Sequence, residues 1–156
     1  MSTLERAIEL AARAHAEQVD KAGQPYILHP LRLMLTFDTA TEPITTEQKA
    51  AEQITAKQMA AVLHDIVEDT PVTFEDLVAE GFPEAVIAAV RALTKRPGED
   101  RLAAARRAAA DPIARAVKLA DVTDNMNLDR IPYPSAQDRV RQAEYEQVRA
   151  LLLAHA

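Results

Sequence analysis

The chain has 156 residues, 48% of them hydrophobic and 27% charged, which suits one globular domain with a buried core, spanning residues 1–156. It contains no cysteine, which excludes disulfides, thiolate ligands and cysteine nucleophiles together and leaves imidazole and carboxylate as the metal-binding chemistry. A net charge of −6 argues against a general nucleic-acid binder, because such domains carry a basic surface.

No stretch approaches the ~20 apolar residues of a membrane span, and Met1 to Leu10 reads as an amphipathic helix start, not as an export signal, so a cytoplasmic protein is expected. Aromatic residues make up only 4% and Trp is absent, so the core must come from Leu, Ile, Val and Ala. Ala is the best helix former and a poor strand residue, which predicts an all-α bundle of seven or eight helices. Thr3 to Glu17 carries Leu4, Ile8 and Ala11 or Ala12 at helical spacing behind a Ser2/Thr3 cap. Asp20 to Pro30 is expected to be a loop that delivers His29 to a second helix, Pro30 to Phe37. Asp38 to Thr46, with Pro43, reads as a loop. Thr46 then precedes a long helix through Glu47, Ala60, Leu63 and Ile66 that stops near Asp69 to Pro71. Thr73 opens a short helix to Ala79, closed by Gly81, and Pro83 starts another to about Thr94. After a break at Pro97 and Gly98 come Glu99 to Ala110 and Pro112 to about Asn125, with Asp111 as the cap between them. Ile131 to Pro134 is a connector, and Ser135 caps a last helix through Leu153. No segment shows the period-two alternation of a strand.

The chemistry concentrates in Leu63-His64-Asp65-Ile66-Val67-Glu68-Asp69-Thr70. His64 and Glu68 are four apart, as are Asp65 and Asp69, so on a continuous helix each pair shares a face. Four titratable groups among apolar residues are costly to bury unless something pairs them, and a divalent cation would. Imidazole plus carboxylate suits Mn²⁺, Fe²⁺ or Zn²⁺. Taken one at a time, these residues have ordinary explanations: an acidic helix end, a buried structural His29, a surface Asp121.

Together, His15-Ala-Glu17-Gln18, Lys21-Ala-Gly23-Gln-Pro25-Tyr26-Ile27-Leu28-His29-Pro30, the His64 segment, and Lys118-Leu119-Ala120-Asp121 followed by Asn125 resemble the HD-domain superfamily. The likeness is to the (p)ppGpp hydrolase domains of RelA/SpoT-type enzymes and their small relatives. The resemblance implies that His29, His64, Asp65 and Asp121 bind one metal, Mn²⁺ or another divalent ion such as Fe²⁺, Zn²⁺ or Mg²⁺, and that Glu68 and Asp69 activate the attacking water. It further implies that Lys21, Asn125, Arg141 and Tyr145 contact a small anionic nucleotide, and that the reaction is 3′-pyrophosphate hydrolysis of the alarmone ppGpp, a molecule of the stringent response. Other readings are an HD-type hydrolase of another nucleotide or phosphate ester, and a non-catalytic nucleotide-sensing domain.

The chain departs from the family pattern in three places. Glu17 replaces a common Gly, and Val122, with Asp124 two residues on, stands where Arg or Lys usually follows the motif Asp. Asp20 replaces an Arg that packs against guanine, which reverses the charge and sets a repelling carboxylate toward a polyanionic ligand, so Asp20→Arg is expected to strengthen ppGpp hydrolysis.

Overall fold

The computed structural model describes residues 1–38 and 47–155. The expected loop with Pro43 and the Thr46 cap lie outside these residues, apart from Asp38 at its start. Among the described residues there are nine α-helices: α1 (Leu4–Ala14), α2 (Leu28–Leu35), α3 (Glu47–Leu63), α4 (Ile66–Asp69), α5 (Phe74–Ala79), α6 (Glu84–Leu93), α7 (Arg101–Ala109), α8 (Pro112–Asn125) and α9 (Ala136–Ala154). One 3₁₀ turn, Leu128–Arg130, links α8 to α9. The protein is all-α: no strand occurs among the described residues beyond one isolated bridge, Val19 with Pro25. Among the described residues no helix is long and apolar enough to cross a membrane.

The helix starts follow local chemistry. The Thr3 side chain accepts from Arg6 N, Asp100 from Ala103 N and Asp111 from Ala114 N, with Pro112 at the first helical position, where a missing N–H costs nothing. Thr73 with Asp76, and Ser135 with Asp138, form reciprocal capping boxes. Glu99, expected to begin α7, instead binds Arg107 through both carboxylate oxygens at 2.8 and 3.0 Å. Arg107 also donates to the carbonyls of Arg91, Ala92 and Thr94, satisfying the open end of α6.

Helix α3 is the central post. Ala60, Ala61, Val62 and Leu63 are all fully buried, so its last turn is enclosed on every side. One face packs with Ala7 and Ala11 of α1, Leu77 of α5 and Val86 and Val90 of α6. Another meets Leu33 of α2, Ala89 of α6, Ala108 of α7 and Ala114 and Val117 of α8. The alanines allow close helix approach, which is how a core without Trp is filled. A smaller cluster, Ala105, Ala109, Val122, Val148 and Leu152, joins α7, α8 and α9. Val122 is buried there, so its departure from the family pattern is a matter of packing, not of ligand contact.

Besides the start of α7, the structure corrects two sequence expectations. The long third helix is not continuous: it ends at Leu63 and resumes as α4 at Ile66, with Asp65 at φ −103°, ψ 0°. Also, His29 is not delivered by a loop. It is the second residue of α2, because Leu28 N and His29 N already donate to the carbonyls of Pro25 and Tyr26 at 3.1 and 3.0 Å. Pro30 is tolerated because the first helical N–H groups have no intrahelical acceptor.

Candidate metal centre and cleft

The break between α3 and α4 turns His64 and Asp65 toward α2 and α8. His64 Nδ1 lies 2.7 Å from the Ala61 carbonyl, one turn back in α3. A carbonyl can only accept, so Nδ1 carries the proton and Nε2 faces inward. That Nε2 is buried and forms no well-aligned hydrogen bond, although carboxylate oxygens lie near it. His29 arrives from α2 and Asp121 from α8, at 6% exposure each against 3% for His64. His29 Nε2 lies 3.0 Å from Asp121 Oδ1, and His64 Nε2 lies 3.7 Å from the same oxygen and 3.0 Å from Asp65 Oδ2. Ligand atoms of His29, His64 and Asp121 all fall within 4.8 Å of one another, and those of Asp65, Glu68 and Asp69 form a second such group beside them.

The electrostatics are those of a site short of a cation. Burial opposes charge on both imidazoles, yet the Asp65 and Asp121 carboxylates outweigh it and hold His64 well above its ordinary pKa. Bonds to Asp121 and Asp124 likewise outweigh burial at His29 and raise its pKa. Against its own burial, Asp121 is held well below the carboxylate range by Lys118 and the two histidines. The donor set, nitrogen and oxygen without sulfur, is the set a divalent ion takes, and the buried Nε2 of His64, which faces Asp65 and Asp121 without forming a hydrogen bond, fits a metal ligand. His29, His64, Asp65 and Asp121 could hold the ion together, Asp65 bridging to the acidic pair.

Around these residues runs a web that motif reading missed. Lys118 Nζ donates to Asp121 Oδ2 at 2.9 Å, Asn125 Nδ2 to Asp121 Oδ1 at 3.0 Å, and the Tyr26 hydroxyl to Asp65 Oδ2. Asp124 takes His29 Nδ1 at 2.6 Å and is gripped by Arg32 and Arg130. The signal was present in the spacing: Arg32 stands three residues after His29, and Asp124 three after Asp121, each one turn along its helix.

The centre opens into a cleft of about 460 Å³. Lys21, Asn125, Arg141 and Tyr145, the four expected substrate contacts, all line it, as does Asp69. Lys21 is paired with Asp138 at the start of α9, and the Tyr145 ring lies 4.9 Å under the Arg101 guanidinium. Asp69 is pushed up to about 6, first by burial and then by the charges of Asp65 and Glu68. Glu68 is exposed, and its Oε1 accepts from Lys95 N at 2.7 Å. Asp20 has a different duty from the one its charge suggested. Its Oδ1 accepts from Ala22 N and Gln24 N at 2.9 and 3.0 Å, closing the turn that carries Lys21, while Oδ2 faces Arg130 Nη1 at 3.7 Å.

The HD domain family model matches residues 26–126. A probable GTP pyrophosphokinase of Mycobacterium leprae is 32% identical over 97% of this chain and 19% of its own length. A guanosine-3′,5′-bis(diphosphate) 3′-pyrophosphohydrolase of Aquifex aeolicus is 34% identical over 79% of this chain and 17% of its own length. The chain thus spans under a fifth of these longer relatives. A Drosophila melanogaster protein with the same 3′-pyrophosphohydrolase name is 30% identical over 88% of this chain and 75% of its own length. The solved structure of a metazoan SpoT ortholog, described as hydrolysing ppGpp, superposes with a TM-score of 0.72 at 26% identity, covering 96% of this chain and 84% of the other. With the family model matching well over half of the residues, and the two imidazoles and the aspartate gathered as described, the chain belongs to the HD-domain family.

Proposed function

We propose that this chain is a metal-dependent phosphohydrolase that removes the 3′-pyrophosphate of ppGpp or a closely related nucleotide. The observation that carries the reading is the convergence of the buried His64 Nε2 with His29 and Asp121, beside a cleft that His29 and Asp65 line together with Lys21 and Arg141. A divalent ion, Mn²⁺ first among the candidates, supplies Lewis acidity toward a phosphoryl oxygen and water when bound there. Asp69 takes the proton of the attacking water: it faces the cleft, and a group poised near 6 is well matched to accept a proton close to neutrality. Glu68, beside it, helps to set that poise through its charge. The new bond joins water oxygen to phosphorus and the bond to the 3′-oxygen breaks, leaving guanosine 5′-diphosphate and pyrophosphate. Arg141 has no hydrogen bond or ion pair among the described residues, so its guanidinium is available for phosphate oxygens. Tyr145 offers a ring to the base, and Asn125 a polar edge that is already tied to Asp121.

A second reading, an HD-type hydrolase of a less highly charged phosphate ester, is favoured by the pairing of Lys21 with Asp138, which leaves less free positive charge for a polyphosphate. The test is a panel of alarmones, nucleotides and simple phosphate esters, each with Mn²⁺, Fe²⁺, Zn²⁺, Mg²⁺ or chelator, with products resolved by chromatography. Pyrophosphate from ppGpp in the metal-loaded samples alone is the expected result. Turnover of other esters in its place moves the second reading ahead, and metal binding with no turnover at all points to a sensing domain.

A further inference from the structure

Among the described residues, Asp124 is the most heavily engaged carboxylate outside the groups already given a role. It stands on α8, three residues after Asp121, with its side chain 15% exposed. His29 Nδ1 lies 2.6 Å from its Oδ2. Arg32 grips both oxygens, Nε to Oδ1 at 2.9 Å and Nη2 to Oδ2 at 3.0 Å, and Arg130 Nη2 reaches Oδ2 at 3.3 Å while also bonding the Asp124 carbonyl at 2.8 Å.

Two guanidinium groups around one half-buried carboxylate leave it no reason to take up a proton. An ionised carboxylate can only accept, so the donor in the 2.6 Å contact is His29 Nδ1–H. With one proton fixed at Nδ1, Nε2 is the nitrogen left to a metal: it faces Asp121 Oδ1 at 3.0 Å, and a bound ion would take the place of the proton shared there. The partner of the distal ring nitrogen sets both which nitrogen can bind a metal and how basic that nitrogen is. Arg32 holds the carboxylate from the helix that carries His29, one turn on, so acceptor and ring move as one unit. Arg130 holds it from the 3₁₀ turn and also lines the substrate cleft.

We propose that Asp124 is a positioning residue that fixes the tautomer and the aim of His29 toward the divalent ion, with Arg32 and Arg130 as the clamps that keep its carboxylate in place. The ion is the one in the hydrolase reading, on which this inference rests.

The test is calorimetric titration of the metal-free protein with Mn²⁺ and with Zn²⁺. Wild type, Asp124→Asn, Arg32→Met and His29→Ala are compared, and the imidazole N–H protons of the Zn²⁺-loaded forms are recorded by NMR. Replacing the partner of a metal-bound histidine costs about 10- to 100-fold in metal affinity. Asp124→Asn should weaken binding by that factor, and Arg32→Met, which leaves the carboxylate but frees it to turn, should weaken it less. His29→Ala marks the loss of the ligand itself. In wild type the His29 Nδ1–H proton should resonate far downfield, as a proton held by a carboxylate does, and should move upfield in Asp124→Asn. Unchanged affinity in both Asp124→Asn and Arg32→Met, with metal bound by wild type, overturns this inference and leaves the hydrolase reading standing. So does weakened binding with an unmoved Nδ1–H signal, which would mark Asp124 as a brace between α2 and α8 only. A wild-type protein that binds no divalent ion overturns both.

Discussion

Replacing Glu68 with Gln tests whether the acidic pair works as described. Oxygens of Asp65, Glu68 and Asp69 lie within 4.8 Å of one another, and Asp69 is pushed up to about 6 by burial and then by those two neighbours. One unit charge 4.8 Å away contributes about 0.9 kcal/mol at the dielectric of water. That corresponds to roughly 0.6 on the pH scale, and about twice as much at half that dielectric. Gln keeps a carbonyl oxygen able to accept from Lys95 N, so the local contact survives and only the charge is lost. The Asp69 midpoint, followed by carboxyl ¹³C NMR in metal-free protein, should therefore fall by roughly 0.6 to 1.3. The stability consequence has a definite sign. Because the folded state raises this pKa above the ordinary 3.8, it binds the proton more tightly than the unfolded chain does. Metal-free protein should lose stability as pH rises from about 4 to about 6, and the loss should shrink in Glu68→Gln. An Asp69 that titrates in the ordinary carboxylate range, or a midpoint indifferent to Glu68→Gln, would refute the reasoning. In hydrolysis, Asp69→Asn should cost about 10² to 10⁴ in kcat with metal content unchanged.

Three further outcomes are expected. His64→Ala removes the bare Nε2 and should lose both metal, read by elemental analysis after dialysis, and turnover. Retention of metal by this variant would remove His64 from the ligand set. Asp20→Arg, which residue type alone predicted to help, should instead weaken ppGpp hydrolysis: it strips two backbone donors of their acceptor and sets a cation against Arg130. Asp20→Asn, keeping an acceptor oxygen, should stay closer to wild type in KM, and a gain of activity in Asp20→Arg would restore the earlier expectation. Glu17 has φ 70°, a left-handed backbone costing a side-chain-bearing residue about 1–2 kcal/mol. Glycine's extra entropy in the unfolded chain takes back about 0.5–1 kcal/mol. The net gain of about 0–1.5 kcal/mol should raise Tm by up to about 6 °C in Glu17→Gly, and a Tm below wild type argues against strain at this position.

The sequence by itself determined what depends on neighbours along the chain. Asp111-Pro112 and Ser135 with Asp138 carry their helix starts within four residues, and the structure begins α8 and α9 at those places. The same holds for the all-α class, since an Ala-rich chain with few aromatics and no alternating pattern leaves little else to pack. The motif residues His29, His64, Asp65 and Asp121 were legible because each sits in a short recognisable segment. Only the tertiary structure decided how these segments meet. Periodicity carried α3 straight through His64, but the chain breaks there to turn His64 and Asp65 toward α2 and α8, a choice set by packing against helices distant in sequence. Asp20 read as a repelling charge because composition records a residue's type and not its hydrogen bonds, which here close its own turn. Asp124 looked like an irregularity in a motif. Its meaning depends on His29 and Arg32, 95 and 92 residues away, and contacts across that separation form only when α2 and α8 pack side by side.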